Sequence, residues 1–311
     1  MAAAKTTMPI RSVVVLGSSI SRPPTAKRTR TSGFIGWDTG SVTDMSDMFK
    51  NCAALTSIAG ICDWDTGNVT TMGSMFSGCA SLAAADLHKW NTASLNSLQF
   101  TFYDCSALQS VNLSGWDTRN VNNFRSLFSG CGSLSSAKLD DWNLGSTRYD
   151  GDLGNMFRGC ASLKSLDLSS WKMTGVKYAS GMFNNFTGVE TLNLSGWDTS
   201  SITMMKNMFI SCEALRNLNV GGWDTGSVRD MYNMFENCGS LTTLGTIGEW
   251  DTHSVEYMNN MFRNCSSLTS ADLHNWDTGS VIKMYGLFQD CVSLKTVNLS
   301  SWNTGSVTSM S

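Results

Sequence analysis

Tryptophan sets the ruler for this chain. Its 11 tryptophans stand at 37, 64, 90, 116, 142, 171, 197, 223, 250, 276 and 302, so successive spacings are 27, 26, 26, 26, 29, 26, 26, 27, 26 and 26. A fixed period in the range of roughly 20–50 residues marks a repeat array. The 311 residues are therefore read as a solenoid, which buries its core between neighbouring units and not in one globule.

One unit, counted from Trp197, shows how the period is filled. Met205, Met208, Phe209, Cys212 and Leu215 fall at i, i+3, i+4, i+7 and i+10, the spacing of one face of a short helix. The same face returns as Met45, Met48, Phe49, Cys52 and Leu55, and again as Met231, Met234, Phe235, Cys238 and Leu241. Then the period changes to two: Leu218 and Val220, like Val111 and Leu113 or Leu192 and Leu194, alternate as in a strand with one buried face. A Trp-Asp-Thr-Gly turn closes the unit. The expected fold is an α/β repeat solenoid, leucine-rich-repeat-like, of about ten units of roughly 26 residues, each a short helix and a short strand of a parallel sheet. No proline lies beyond Pro24, as a ladder that needs every backbone N–H requires.

The motif Met-Phe-x-x-Cys-x-x-Leu-x-x-Leu-x-Leu-Ser-x-Trp-Asp-Thr resembles the BspA-type leucine-rich repeat and covers about residues 37–311. That resemblance implies a non-enzymatic binding or adhesion role, of the kind found in bacterial surface proteins and in protist and phage proteins.

Residues 1–36 form a separate segment. They hold six of the 22 Lys and Arg residues (Lys5, Arg11, Arg22, Lys27, Arg28 and Arg30), all three prolines and none of the 25 Asp and Glu residues. The arm is thus +6 and the body −9, with a net charge of −3. Such asymmetry marks an interaction tail or a solvated leader. Arg11, Arg22, Lys27, Arg28 and Arg30 are the candidate anchoring residues. The apolar run Val13–Leu16 is shorter than the ~7–15 residues of a secretory h-region. The arm also has the Arg- and Ser-rich, acid-free composition of a transit peptide. We expect it to be retained and docked on a partner. The last unit stops at Ser311 before its helix is made, so the preceding helix or another chain is expected to cover that end.

Candidate chemistry is sparse. Nine of the 10 cysteines occupy one repeat position; none is spaced Cys-x-x-Cys, and a row of reduced, buried thiols is expected. Phe186 replaces the Cys in one unit, and only Cys62 is out of frame. The Asp/Asn-Thr pairs after each Trp raise calcium or ice binding, but turn capping explains them better. His88, His253 and His274 pair with no nucleophile or metal set, and no phosphate-loop, dinucleotide, zinc-protease or nucleophile-elbow motif occurs. No catalytic, cofactor or metal site is expected.

Two surfaces remain. Asp86, Asn112, Lys138, Asp167, Asn193, Asn219, Asp272 and Asn298 form a polar strand face suited to a glycan or a peptide, though poor in aromatic anchors. The 29-residue interval carries an insertion, Arg148-Tyr149-Asp150-Gly151-Asp152, followed by an atypical unit with Tyr178; insertions in solenoids often map to the binding face. Arg148, Tyr149, Asp150, Asp152 and Tyr178 are the candidate binding loop. The leading expectation is a structural protein held by residues 1–36 in a larger assembly, a virion decoration or tail-associated component. A surface adhesin for host glycan or matrix protein and an intracellular or organellar scaffold are the alternatives. Protein partners are expected at the arm and at the C-terminal stacking face, nucleic acid is not expected on the solenoid, and no segment approaches transmembrane length.

Overall fold

A computed structural model describes residues 27–31, 34–140, 142–144 and 150–311. The chain winds into a β-solenoid whose coils carry equivalent residues one above the next. Strands β1 (Lys27–Thr31) and β2 (Phe34–Asp38) pair antiparallel, with Lys27 opposite Asp38. This hairpin straddles the 36/37 boundary drawn from the sequence.

From there every pairing is parallel. One ladder consists of single-residue bridges running Asp44, Thr71, Ser97, Asn123, Asp152, Tyr178, Met204, Asp230, Tyr257, Lys283 and Ser309; we call its side of the molecule the rung face. The other ladder is built from the alternating segments. β3 (Ala84–Asp86), β4 (Ser110–Asn112) and β5 (Ser136–Lys138) form one sheet. β6 (Gly151–Asp152) and β7 (Val176–Tyr178) belong to the bridge ladder. β8 (Thr191–Asn193) pairs with β9 (Asn217–Asn219), and β10 (Ser270–Asp272) with β11 (Thr296–Asn298).

The expected helix is absent: no α-helix occurs among the described residues. The Met-x-x-Met-Phe-x-x-Cys segment is a run of tight turns. Alternate N–H groups bond three residues back, as Met75 to Met72, Ser77 to Ser74 and Cys79 to Phe76 at 3.0–3.1 Å. The N–H groups between them leave the coil, Ser74 for the Gln99 carbonyl, Phe76 for Thr101 and Gly78 for Tyr103, at 2.7–2.9 Å. A helix would have kept all of them inside the segment. Two left-handed residues four apart cause the change, Asp47 and Asn51 in one coil, Ser74 and Gly78 in the next, Asn233 and Asn237 further on. Asn, Asp, Ser and Gly tolerate positive φ, and these types fill the two positions in all coils but one. The apolar spacing survives because the turns still aim Met72, Met75, Phe76, Cys79 and Leu82 inward, all buried.

Stacking of like on like builds the core. The phenylalanines form one column, with Phe209 lying 5.5 Å from Phe183 and 5.3 Å from Phe235, nearly parallel. The tryptophans form a second from Trp37 to Trp302, as in Trp197 on Trp223 at 6.1 Å. Offset aromatic stacking adds to the apolar area removed from water. Polar atoms in the interior are satisfied across coils. Trp223 Nε1 donates to the Leu194 carbonyl at 2.8 Å and Trp90 Nε1 to that of Ile61. Thr225 Oγ1 donates to the Asp251 carbonyl and Thr199 Oγ1 to that of Asp224, both at 2.8 Å.

The irregular spacings have local causes. In the two 27-residue intervals a 3-10 turn, Ile61–Asp63 or Gly245–Glu249, replaces the strand and uses the extra residue. In the 29-residue interval the chain leaves the coil after Leu144 and returns at Gly151. A side chain on Gly151 would meet the Leu144 carbonyl and the Val176 backbone at 3.2–3.3 Å, so a bare backbone is needed to close the insertion.

Candidate functional site

The side chains left over from this packing show where the molecule can meet something else. On the strand side few are left over. Asn112, Asp167, Asn193, Asn219, Asp272 and Asn298 each accept the N–H two residues on. They cap the turn that follows the strand. Asp167 also takes the Ser169 hydroxyl at 2.6 Å, and that bond holds its carboxyl below the usual range. Asp86, Asp251 and Asp272 are likewise lowered, chiefly by the ring nitrogens of His88, His253 and His274 at 2.7–2.8 Å. The three histidines therefore serve their own turns.

The Trp-Asp-Thr corner is also committed. Asp38, Asp65, Asp117, Asp198 and Asp224 cap it, while its threonines, from Thr39 to Thr278, are buried. The thiols are inside as well: eight of the 10 are buried, with Cys52 and Cys62 partly exposed. Each ordered Sγ donates to the preceding coil, Cys79 to the Phe49 carbonyl and Cys238 to that of Phe209 at 3.1 Å. Burial pushes the Cys79 thiol up to about 12. The sequence showed a small apolar residue at this position; its role as an S–H donor was not legible. Phe186, in place of a Cys, packs on Phe183 at 5.6 Å.

The rung face is different. Two residues beyond each rung, successive coils carry Ser46, Gly73, Gln99, Arg125, Gly154, Ser180, Lys206, Tyr232, Asn259 and Tyr285, no fixed type at all. The rungs themselves include Tyr178, Met204, Tyr257 and Lys283. All five described tyrosines, Tyr103, Tyr178, Tyr232, Tyr257 and Tyr285, stand on this side and are partly exposed. The sequence hid this stripe because its members occupy the variable positions of the repeat.

The predicted loop opens onto the same face. Arg148 and Tyr149 lie outside the described residues. Asp150 is exposed and pairs with Lys177 at 2.8 Å, which raises the Lys177 ammonium. Asp152 is a rung beside Tyr178; it accepts the Gly154 N–H at 2.7 Å and faces Arg125 at 3.5 Å. Together with Asn155, Ser180, Lys206 and Asn207 they line a groove of about 380 Å³. It forms because Ser180 and Gly181 leave one coil low between its neighbours. Of the predicted anchoring residues, Lys27, Arg28 and Arg30 lie in β1, and Arg11 and Arg22 lie outside the described residues. The C-terminal end exposes Val292, Val297, Leu299 and Met310. Among the described residues no cluster of three His, Cys, Asp or Glu residues is placed to hold a metal ion. No helix there is long and apolar enough to cross a membrane.

Comparison with known proteins fits this architecture. Among solved structures, a leucine-rich repeat protein from Bacteroides ovatus is similar at 18% identity, with 78% of this chain and 88% of that one covered and a TM-score of 0.25. A leucine-rich cell surface protein from Faecalibacterium prausnitzii is similar at 13% identity, with 89% and 86% covered and a TM-score of 0.39. The TLR13 chain of a TLR13–ssRNA13 complex is similar at 17% identity over 76% of this chain, which spans 36% of that longer one, with a TM-score of 0.33. No curated protein matches in sequence. The profile of one family matches in overlapping stretches, 25–142, 97–215, 151–244, 185–270 and 239–311. The chain belongs to that family, described as Mycoplasma protein of unknown function, DUF285.

Proposed function

We propose that this chain is a non-enzymatic interaction solenoid that recognises a protein partner through its rung face, centred on the groove of Asp152, Tyr178 and Lys206. One observation carries this reading. Interior and strand-side positions repeat the same residue types to serve self-packing, whereas the rung face varies from coil to coil and gathers the tyrosines. Partly exposed tyrosines beside cationic side chains are the composition that dominates binding hot spots. Asp150, Arg148 and Tyr149 belong to the same proposed surface. BspA-type kinship, carried by the Met-Phe-x-x-Cys and Leu-Ser-x-Trp-Asp-Thr motifs, is part of the proposal.

In this reading the arm, with Arg11, Arg22, Lys27, Arg28 and Arg30, anchors the solenoid. The +6 arm and −9 body give it an acidic counterpart, which is either another protein or the body of a second copy. The partner at the arm separates the settings: a capsid or tail protein places the chain in a virion, and its absence with retained binding to matrix protein makes it an adhesin. The test uses a photo-crosslinking amino acid installed in the full chain at Lys206 or Tyr232, and at Asn193 or Asn219 as controls, in the cells that make it. The expected result is one defined adduct from the rung positions and none from the strand positions. Equal adducts from both faces would refute the assignment.

A further inference from the structure

A second groove on the rung face, nearer the N-terminus, has a composition of its own. Three coils build it as a grid. The middle coil contributes Gly73, Ser74 and Ser77, all small, and forms the floor. Ser46, Asp47 and Lys50 of the coil before make one wall, and Gln99, Phe100 and Tyr103 of the coil after make the other. The result is a trough of about 470 Å³, with its walls two coil steps apart, or about 10 Å at the usual strand spacing.

Phe100 is the anomaly. It sits at the left-handed position with φ 57°, where the other coils place Asp47, Ser74, Ser126, Asn155, Gly181, Asn207, Asn233, Asn260 and Gly286. A bulky side chain there costs conformational free energy, and Phe100 does not recover it by full burial, for the residue stays partly exposed. Its one ring contact is Tyr103, edge to face at 5.6 Å and 81°. An outlier kept at a cost is a reason to look for function.

The rest of the trough says what it fits. Lys50 and Asp47 neutralise each other at 2.8 Å, so the walls carry no net charge. Gln99 accepts from Asn123 Nδ2 at 3.2 Å, which leaves its own amide N–H groups to donate. The hydroxyls of Ser74 and Ser77 serve no turn or coil contact among the described residues. An aromatic platform has an electron-rich face that meets polarised C–H groups. Uncommitted hydroxyl, amide, carboxylate and ammonium groups opposite it match a ligand that is both C–H-faced and hydroxyl-rich.

We propose that this trough is a saccharide subsite, taking one ring of a neutral glycan stacked on Phe100 and Tyr103 with its hydroxyls on Asp47, Ser74, Ser77 and Gln99. The proposal goes beyond the protein-partner reading and uses a different groove. Its test titrates the full chain with chitohexaose, cellohexaose and maltohexaose by saturation-transfer NMR and calorimetry, with heparin hexasaccharide as the anionic comparison. Phe100→Asn installs the residue other coils use, so it should fold and melt no lower than the parent while binding the preferred neutral sugar at least ~10-fold more weakly. Tyr103→Ser should weaken binding as well, and Lys206→Glu, in the other groove, should leave it unchanged. Failure of all three neutral sugars to bind, undiminished binding by Phe100→Asn, or loss of binding in Lys206→Glu alone would overturn the proposal. Binding of a peptide in place of sugar, dependent on Phe100, would overturn it too. If the crosslinks from Lys206 and Tyr232 fail while Phe100-dependent sugar binding persists, the partner reading falls and this one stands.

Discussion

The strand side and the rung face of the same coils follow opposite rules. Along the strand side Asn112, Asn193, Asn219 and Asn298 repeat almost one residue type, and each spends its side chain on the turn beneath it. Along the rung face Gln99, Arg125, Lys206 and Tyr232 occupy equivalent places with no common chemistry. A solenoid is stabilised by terms that recur from coil to coil, so positions under that constraint converge within the chain. Positions free of it are where a partner can be specified. The difference locates function by subtraction: whatever the repeat does not explain is available for recognition.

Breaking an interior column should have the largest effect. Phe209→Ala opens a gap between two stacked rings, and we expect a loss of about 3–5 kcal/mol in urea unfolding. Tyr257→Ala on the rung face should cost under about 1 kcal/mol, as surface changes usually do. Next is the buried cross-coil hydroxyl. Thr225→Val keeps the shape but strands the Asp251 carbonyl, now served at 2.8 Å, and should cost about 1–2 kcal/mol by the same measurement.

The smallest effect lies in the exposed Asp272–His274 pair. The ring of His274 lowers the Asp272 carboxyl, so the contact favours the fold above the ordinary carboxylate range and is lost as pH falls through the lowered value. His274→Ala should return the Asp272 carbon resonance to ordinary titration, with no resolvable change in melting. An unchanged Asp272 titration would remove the ring from the account of that turn.

The sequence exposed the coil count, the parallel ladder, the columns of Trp, Phe and Cys and the capped Trp-Asp-Thr corner. It misled at Met205–Leu215, where i, i+3, i+4, i+7 spacing implied a helix. A run of turns with two left-handed residues buries the same pattern, and the distinguishing signal was present as Asn207 before Met208 and Ser211 before Cys212, both with positive φ. The insertion was visible as a lengthened interval, and Asp152 and Tyr178 do line one groove. The Phe100 trough was not legible, because its nine residues come from three coils and only stacking brings them together.

The division between the two faces is tested most directly by paired melting of two fourfold variants. One removes rung-face groups, Tyr178→Ser, Lys206→Ser, Tyr232→Ser and Tyr257→Ser; the other removes strand-side caps, Asp167→Ala, Asn193→Ala, Asn219→Ala and Asp272→Ala. The account predicts a rung-face variant that melts within about 3 °C of the parent and a strand-side variant roughly 5–10 °C lower, from four lost caps. A rung-face variant that melts below the strand-side one would show that the tyrosine stripe holds the fold together, and would contradict its assignment to recognition.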